Sequence, residues 1–207
     1  MTLAADTSPA ESPRLFFRRH LEQRTATAAD LAWYLDESTP RFAGSAEVRL
    51  AVEELVDRLG TFLGFGVARG ESDASALWMS PLGPRLLVWV DSGVRAIATM
   101  TSALHRRTQL LATLDVGRDD DLTCLFVLVG TCDERLMNEA VTLRRASRQL
   151  RLISVPSLMS LTDAVDRGRL AHRETLGLLR PSSAVADGIV GVVAQGHSRG
   201  SRERPRE

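Results

Sequence analysis

Residues 74–91, ASALWMSPLGPRLLVWVD, decide the fold class of this chain. They contain two apolar segments, 74–79 and 85–91, separated by the short sequence SPLGP. Prolines and a glycine between two runs of branched and aromatic residues are typical of a β-hairpin. The stretch therefore predicts two antiparallel strands, and a third short strand is predicted just before them at 65–68.

Helical patterns lie on both sides of this hairpin. Apolar residues recur at three- and four-residue steps over residues 45–63, and Gly64 is expected to end this helix. Further helices are predicted over 94–114, 133–150 and 156–167.

Two strands are predicted between the later helices. The continuous apolar run LTCLFVLVG at 122–130 is typical of a central strand buried on both faces, and a shorter strand is predicted at 151–155. A strand, a helix and a second strand in this order form a parallel pair through a right-handed crossover. The sequence therefore predicts an α/β fold, in which a mixed sheet of a β-hairpin and a parallel strand–helix–strand unit is sandwiched by helices.

The ends of the chain differ in composition from its centre. Residues 1–13 are rich in Ala, Ser, Pro and Thr, and residues 196–207 contain no apolar residue, so both are expected to be disordered tails. Residues 14–43 carry two short helical patterns and form a predicted N-terminal helical extension to an α/β domain at 44–181. The apolar element at 182–195 is expected to pack on this domain, with an added edge strand or a contact to a partner chain as alternatives.

The charged side chains limit the classes of protein that this chain can belong to. It has 207 residues, 26 basic and 26 acidic, with a formal net charge of zero, and every basic residue is arginine. The missing lysine excludes a Walker phosphate loop and a Schiff-base enzyme. Zero net charge argues against coating of nucleic acid through bulk electrostatics. No run reaches the roughly 20 apolar residues of a membrane span, so we expect a cytoplasmic protein with no membrane partner.

One local cluster of positive charge stands out. Four arginines occur within residues 144–151 with no acidic residue among them. Arg144, Arg145 and Arg148 are therefore candidate nucleic-acid-binding residues, and a solvated helix face is the simpler interpretation.

The pattern over residues 44–181 resembles the restriction-endonuclease-like PD-(D/E)XK nuclease superfamily. In that family a helix that carries a glutamate ends at a Gly-Phe or Gly-Tyr pair, and the sequence VEELVDRLGTFLGF places Glu53 before such a pair. A hairpin follows in the family, with an aspartate on its first arm and an acid-x-lysine triplet on its second. Asp73 precedes the first arm here, and Asp91 ends the second. The resemblance implies Glu53, Asp73 and Asp91 as the residues of a nuclease site.

The triplet departs from the family pattern. A site of this type uses carboxylates to hold a divalent metal and a lysine to orient the nucleophile. The acid and lysine places fall at Trp89 and Asp91, so one has no metal-binding oxygen and the other has the opposite charge. We therefore predict a degenerate site that binds no metal and no cofactor. Trp78 and Trp89, on the two arms of the hairpin, are expected to pack together, with Trp89 as the residue that fills the old site.

Three hypotheses for function follow. The favoured one is a catalytically degenerate nuclease-fold protein, acting as an interaction or regulatory subunit of a nucleic-acid-processing or defence assembly. Its expected partner is a protein, nucleic acid is a further candidate, and the oligomeric state is left open. The second is a Mg²⁺-dependent endonuclease with an altered site of Glu53, Asp73 and Asp91, in which Asp73 and Asp91 hold the metal. The third is a ligand-sensing α/β module unrelated to nucleases, which predicts an all-parallel sheet.

Overall fold

A computed structural model describes residues 12–42, 45–69, 75–92, 96–113, 122–130, 134–146, 149–180 and 185–200. Its helices and strands, in chain order, are α1 (Pro13–Arg24), α2 (Ala28–Ser38), a 3₁₀ turn (Thr39–Arg41), α3 (Ala46–Phe62), β1 (Gly66–Ala68), β2 (Ser75–Met79), β3 (Arg85–Asp91), α4 (Ala96–Thr113), β4 (Leu122–Leu128), α5 (Glu134–Ala146), β5 (Leu150–Ser154), α6 (Val155–Asp166), α7 (His172–Leu179) and α8 (Asp187–Gly200). Over these residues, no helix combines the length and the apolar character that crossing a membrane requires.

The strands form one mixed sheet. Within the described part of the chain its order is β1-β2-β3-β4-β5, antiparallel from β1 to β3 and parallel from β3 to β5. The turn between β2 and β3 closes when the amide of Ser80 donates to the carbonyl of Pro84 at 3.0 Å, and Gly83 takes a φ of +106° there. The predicted mixed sheet is confirmed, and its antiparallel hairpin counts against the all-parallel sheet of the ligand-sensing hypothesis.

Helix α3 forms where the apolar pattern predicts it. The hydroxyl of Ser45 caps its first turn by accepting from the amide of Val48 at 3.3 Å. Val52, Leu55 and Leu59 are fully buried along one side of the helix. After the helix, Gly64 takes a φ of +88°, which suits the residue that follows a helix.

The sheet has a separate hydrophobic core on each face. Strand alternation directs Leu86 and Val88 of β3 toward α3 and α6, and Leu87 toward α4 and α5. Every residue of β4 is buried, as predicted for a central strand. Residues of α3 and of α4 therefore meet the sheet from opposite sides.

The N-terminal helices belong to the same core as the α/β domain. Both predicted helices are present, and Ser12 caps α1 with its hydroxyl, which accepts from the amide of Leu15. Leu21, Leu31 and Leu35 are buried in the cluster that contains the apolar side of α3. Residues 14–42 are thus packed on the domain, and residues 1–11 of the predicted tail lie outside the described residues.

Residues 187–195 of the C-terminal apolar segment are helical, so the alternative that this run adds an edge strand is wrong, although Val185 before it makes an isolated parallel bridge with Leu152 of β5. In α8, Val190 is buried and Val193 packs beside it, because residues three apart lie on one side of a helix. The carboxylate of Asp187 accepts from the amide of Ser154 at 2.8 Å and holds the start of the helix at the end of β5. The helix continues to Gly200, inside the predicted tail at 196–207.

Candidate functional site

Three acidic side chains of α3 are buried. Glu53, Glu54 and Asp57 are 5%, 2% and 5% exposed, although they lie among the apolar residues of this helix. A buried carboxylate is costly unless it is paired with a cation and hydrogen-bonded. The partners of these three acids therefore decide what this region can do.

Helix α1 supplies two of the partners. The guanidinium of Arg14 donates from Nη2 to Glu53 Oε2 at 2.9 Å and from Nε to Glu54 Oε1 at 2.6 Å. Arg18 makes a two-pronged contact with Glu54, at 2.7 and 2.9 Å. Such paired contacts suit the planar guanidinium group and are stronger than single neutral hydrogen bonds.

Arg69, which follows β1, supplies the third. Its side chain is fully buried, and its Nη1 donates to Glu53 Oε2 at 3.3 Å while Nη2 donates to Asp57 Oδ1 at 3.1 Å. Trp78 of β2 donates from Nε1 to the same oxygen of Asp57 at 3.1 Å. We call Arg14, Arg18, Arg69, Glu53, Glu54, Asp57 and Trp78 the arginine–carboxylate network.

Burial and the neighbouring arginines shift the pKa values of these acids in opposite directions. Burial raises the pKa of Glu53 above its ordinary value, although Arg69 and Arg14 act against it, and burial likewise raises the pKa of Asp57 despite the hydrogen bond from Arg69. Burial also acts to raise the pKa of Glu54, but the hydrogen bonds from Arg18 and Arg14 outweigh it and leave that pKa lowered.

Asp91 and Trp89, on the second arm of the hairpin, lie on the other side of the sheet from Glu53. Asp91, at the end of β3, accepts a hydrogen bond on Oδ2 from the hydroxyl of Thr99 in α4 at 2.8 Å. Trp89 lies on the same side of the strand and stacks on Phe126, with ring centroids 6.5 Å apart and planes 8° from parallel. Both residues therefore belong to the side of the sheet that α4 and α5 cover.

Comparison with known proteins identifies the architecture. No model of a protein family matches the sequence, and no curated protein matches it either. The solved structure of the restriction endonuclease FokI aligns with 86% of this chain, at a TM-score of 0.57 and 12% sequence identity. The fold is restriction-endonuclease-like. An identity this low shows the fold alone, and this chain spans 34% of the length of the FokI chain.

Nucleases with this fold pattern are expected to hold a divalent metal, and the described residues do not fit one. Mg²⁺ needs several open oxygen ligands in near-octahedral order. The carboxylate oxygens of Glu53, Glu54 and Asp57 accept from guanidinium groups instead. In the parts of the chain that the structure describes, no three His, Cys, Asp or Glu side chains are grouped so as to hold a metal ion.

Two of the three predicted carboxylates of the restriction-endonuclease-like site, Glu53 and Asp91, have partners on opposite sides of the sheet. Glu53 reaches its partners from α3, on one side of the sheet, and Asp91 bonds to α4 on the other. Asp73 lies outside the described residues, so its role stays a prediction.

The tryptophans also occupy opposite sides. The strand register pairs Trp78 with Leu86 and Trp89 with Ser75, so the expected packing of the two tryptophans against each other is wrong. Side chains of directly paired residues lie on the same face of the sheet, and Leu86, the partner of Trp78, is three residues from Trp89. The two tryptophan rings therefore lie on opposite faces. Trp89 shares its side with Asp91 and does not lie over Glu53, whereas the fully buried Trp78 belongs to the arginine–carboxylate network through Asp57.

The structure describes only part of the predicted arginine cluster. Arg144 and Arg145 lie in the last turn of α5, where the structure describes the backbone but not these side chains, and Arg148 is outside the described residues. Their binding of nucleic acid stays a prediction. Arg151, the fourth member, is completely buried and donates from Nη2 to the carbonyl of Leu178 at 2.8 Å.

Sequence reasoning missed most of the network. Arg14, Arg18 and Asp57 are not among the predicted site residues. A signal was present in VEELVDRL, because Asp57 follows Glu53 by four residues and the two share one side of a helix whose neighbouring residues are apolar. The cations that pair with these acids are distant in sequence, and no local pattern identifies them.

Proposed function

We propose that this chain is a catalytically degenerate nuclease-fold protein that acts as an interaction or regulatory subunit of a nucleic-acid-processing or defence assembly. The observation that carries the proposal is the engagement of Glu53 by Arg14 and Arg69, at 2.9 and 3.3 Å. A carboxylate that accepts hydrogen bonds from two buried guanidinium groups has positive partners other than a metal.

The chemistry of the remaining side chains supports the same proposal. Arginine stays protonated and cannot accept a proton from water, and the chain has no lysine that could take the place of the missing one. Trp89 stands at the acid place of the triplet and Asp91 at the lysine place. A metal-dependent step at Glu53 would need the two arginines displaced first.

Exposed aromatic side chains support a protein partner. Phe16 of α1 and Trp33 of α2 are 64% and 65% exposed, and each would lose apolar contact with water in a complex. A nucleic-acid partner, held through Arg144, Arg145 and Arg148, is the alternative that the binding experiment distinguishes.

The direct test of degeneracy is a cleavage assay. Purified protein is incubated with supercoiled plasmid, linear DNA and RNA in Mg²⁺ and in Mn²⁺, and we expect no cleavage. Cleavage that Asp73→Ala abolishes, and that the surface variant Asp163→Asn retains, would establish the endonuclease hypothesis and overturn this one.

The subunit role needs a separate test. The tagged chain, expressed in its own cells, is expected to elute above its monomer mass with a defined protein, and Phe16→Ser with Trp33→Ser is expected to release that protein. Binding to nucleic acid without cleavage, lost when Arg144, Arg145 and Arg148 are changed to Gln, would instead assign a nucleic-acid reader. Elution as a free monomer that binds neither would contradict the proposal.

A further inference from the structure

A cleft separate from the arginine–carboxylate network lies between the start of α2 and the second half of α6. Its volume is about 390 Å³. Small-molecule sites in proteins occupy roughly 300–1,000 Å³, so this space is large enough for a small metabolite. It is lined by residues of α2, α6 and the loop that follows α6, none of which belongs to the network.

Part of the cleft is apolar. Ala28 and Ala164, which are 2% and 6% exposed, line it together with Met159, and Met159 packs against the main core. An apolar part of a ligand could replace water on this surface at a gain in free energy.

The charged part of the cleft consists of two arginines and one acid. Arg167 donates from Nε to Asp163 at 2.9 Å, in a pair that is largely exposed. Arg169 is half-buried, and among the residues that the structure describes no side chain or carbonyl hydrogen-bonds or ion-pairs with its guanidinium. An anion in the cleft would give this guanidinium a counter-charge that the described residues do not supply.

We propose that this cleft binds a small phosphorylated molecule of nucleotide size. The phosphate lies against Arg169 and Arg167, whose planar guanidinium groups match phosphate oxygens, and the organic part lies on the apolar surface of Met159 and Ala164. Two arginines against Asp163 leave the lining with a net positive charge. The inference does not depend on whether the nuclease site is degenerate, because it uses none of those residues.

Calorimetric titration tests it with AMP, adenosine and inorganic phosphate as probes. We expect saturable binding of AMP, weaker binding of phosphate and none of adenosine. Arg169→Gln is expected to weaken AMP binding by roughly tenfold or more, the loss of one charge-assisted hydrogen bond. Arg173→Gln, on the exposed surface of α7 and outside the cleft, is the matched control and should bind AMP as the wild type does.

A second variant guards against a folding defect. Ala29 is exposed in the first turn of α2 and lines the cleft, so Ala29→Glu adds a negative charge there at a position where helices favour acids. It should keep the wild-type melting temperature and still weaken AMP binding. No saturable AMP binding by the wild type, equal binding of adenosine, or equal loss in Arg169→Gln and Arg173→Gln would overturn the proposal. Binding of a 5′-phosphorylated oligonucleotide without AMP binding would overturn it in favour of a nucleic-acid site.

Discussion

Among single residues, Arg69 is a buried cation that two buried carboxylates share. Its side chain is fully buried, and it is the residue that joins Glu53 to Asp57. If it is removed, two buried carboxylates lose a partner and retain the cost of their burial. Each charge of the network therefore depends on the others, and the stability that one ion pair provides cannot be assigned to it alone.

Arg69→Ala is expected to lower the free energy of unfolding by about 3–5 kcal/mol, the cost of breaking a buried ion pair. Urea denaturation measures it. Arg41→Ala is the control, since its pair with Glu37 spans 3.9 Å between side chains that are 72% and 57% exposed, and such surface pairs contribute roughly 0–1 kcal/mol. Similar losses in the two variants would contradict the role of burial.

The lowered pKa of Glu54 gives a pH dependence. A carboxyl group whose pKa falls on folding stabilises the protein above its unfolded pKa, near 4.5, and loses this contribution as the pH falls through the lowered value. Glu53 and Asp57 have raised pKa values, so their effect on stability has the opposite pH dependence. Their contribution to the free energy of unfolding is present at low pH and is lost as the pH rises.

Glu54→Gln isolates the first effect. The difference in unfolding free energy between wild type and this variant should be largest at neutral pH. It should shrink as the pH falls below 4.5, because the unfolded chain then takes up the Glu54 proton, and it should vanish once the pH passes the lowered pKa and the folded Glu54 is neutral as well. Chemical denaturation at a series of pH values measures it, and a difference that stays constant with pH would argue against ionic pairing of Glu54.

Between elements, the approach of α3 to β2 depends on one residue. Gly60 lies inside α3, where glycine costs about 1 kcal/mol relative to alanine. A Cβ at this position would lie 2.5–2.8 Å from the ring of Trp78, closer than atoms can pack. The glycine is explained by the ring that lies against it.

Two Gly→Ala variants should therefore have opposite effects. Gly60→Ala is expected to destabilise the protein by about 1–3 kcal/mol through overpacking, despite the better helix propensity of alanine. Gly177 lies inside α7, and a Cβ added there would meet no atom within 4 Å. Gly177→Ala is therefore expected to stabilise the protein by about 0.5–1 kcal/mol. Thermal unfolding measures both, and stabilisation by Gly60→Ala would show that Trp78 can move away.

In the whole molecule, the N-terminal helices complete the domain. They cover the apolar side of α3 with Leu21, Leu31 and Leu35, and Arg14 and Arg18 neutralise its buried acids. Without them, the same helix would present apolar side chains and carboxylates together to water.

A truncated chain that lacks residues 1–43 is therefore expected to lose cooperative unfolding and to bind a hydrophobic dye. Near-ultraviolet circular dichroism and a denaturant titration measure this. A chain that lacks only residues 1–11 is the control and should unfold as the full chain does. Two-state unfolding of the longer truncation would mean that 44–181 is an independent domain.

The sheet could be predicted in detail from local patterns. The turn at SPLGP, the apolar run at 122–130 and the helical spacing over 45–63 each specify their own element, since each pattern is set by nearby residues. The C-terminal segment could not, because a short apolar run with glycines fits a strand as well as a helix. Contact of Val190 with the main core selects the helix.

The candidate site was predictable only in part, because its partners are brought together by folding. Composition determined that no lysine is present, and the hairpin pattern determined which residues stand in the triplet. The tertiary structure decided that Glu53 meets Arg14, 39 residues away, and that Asp91 faces the other side of the sheet. Secondary structure is encoded by neighbours in sequence, whereas a buried charge takes whichever opposite charge the packing of the helices brings within hydrogen-bonding distance.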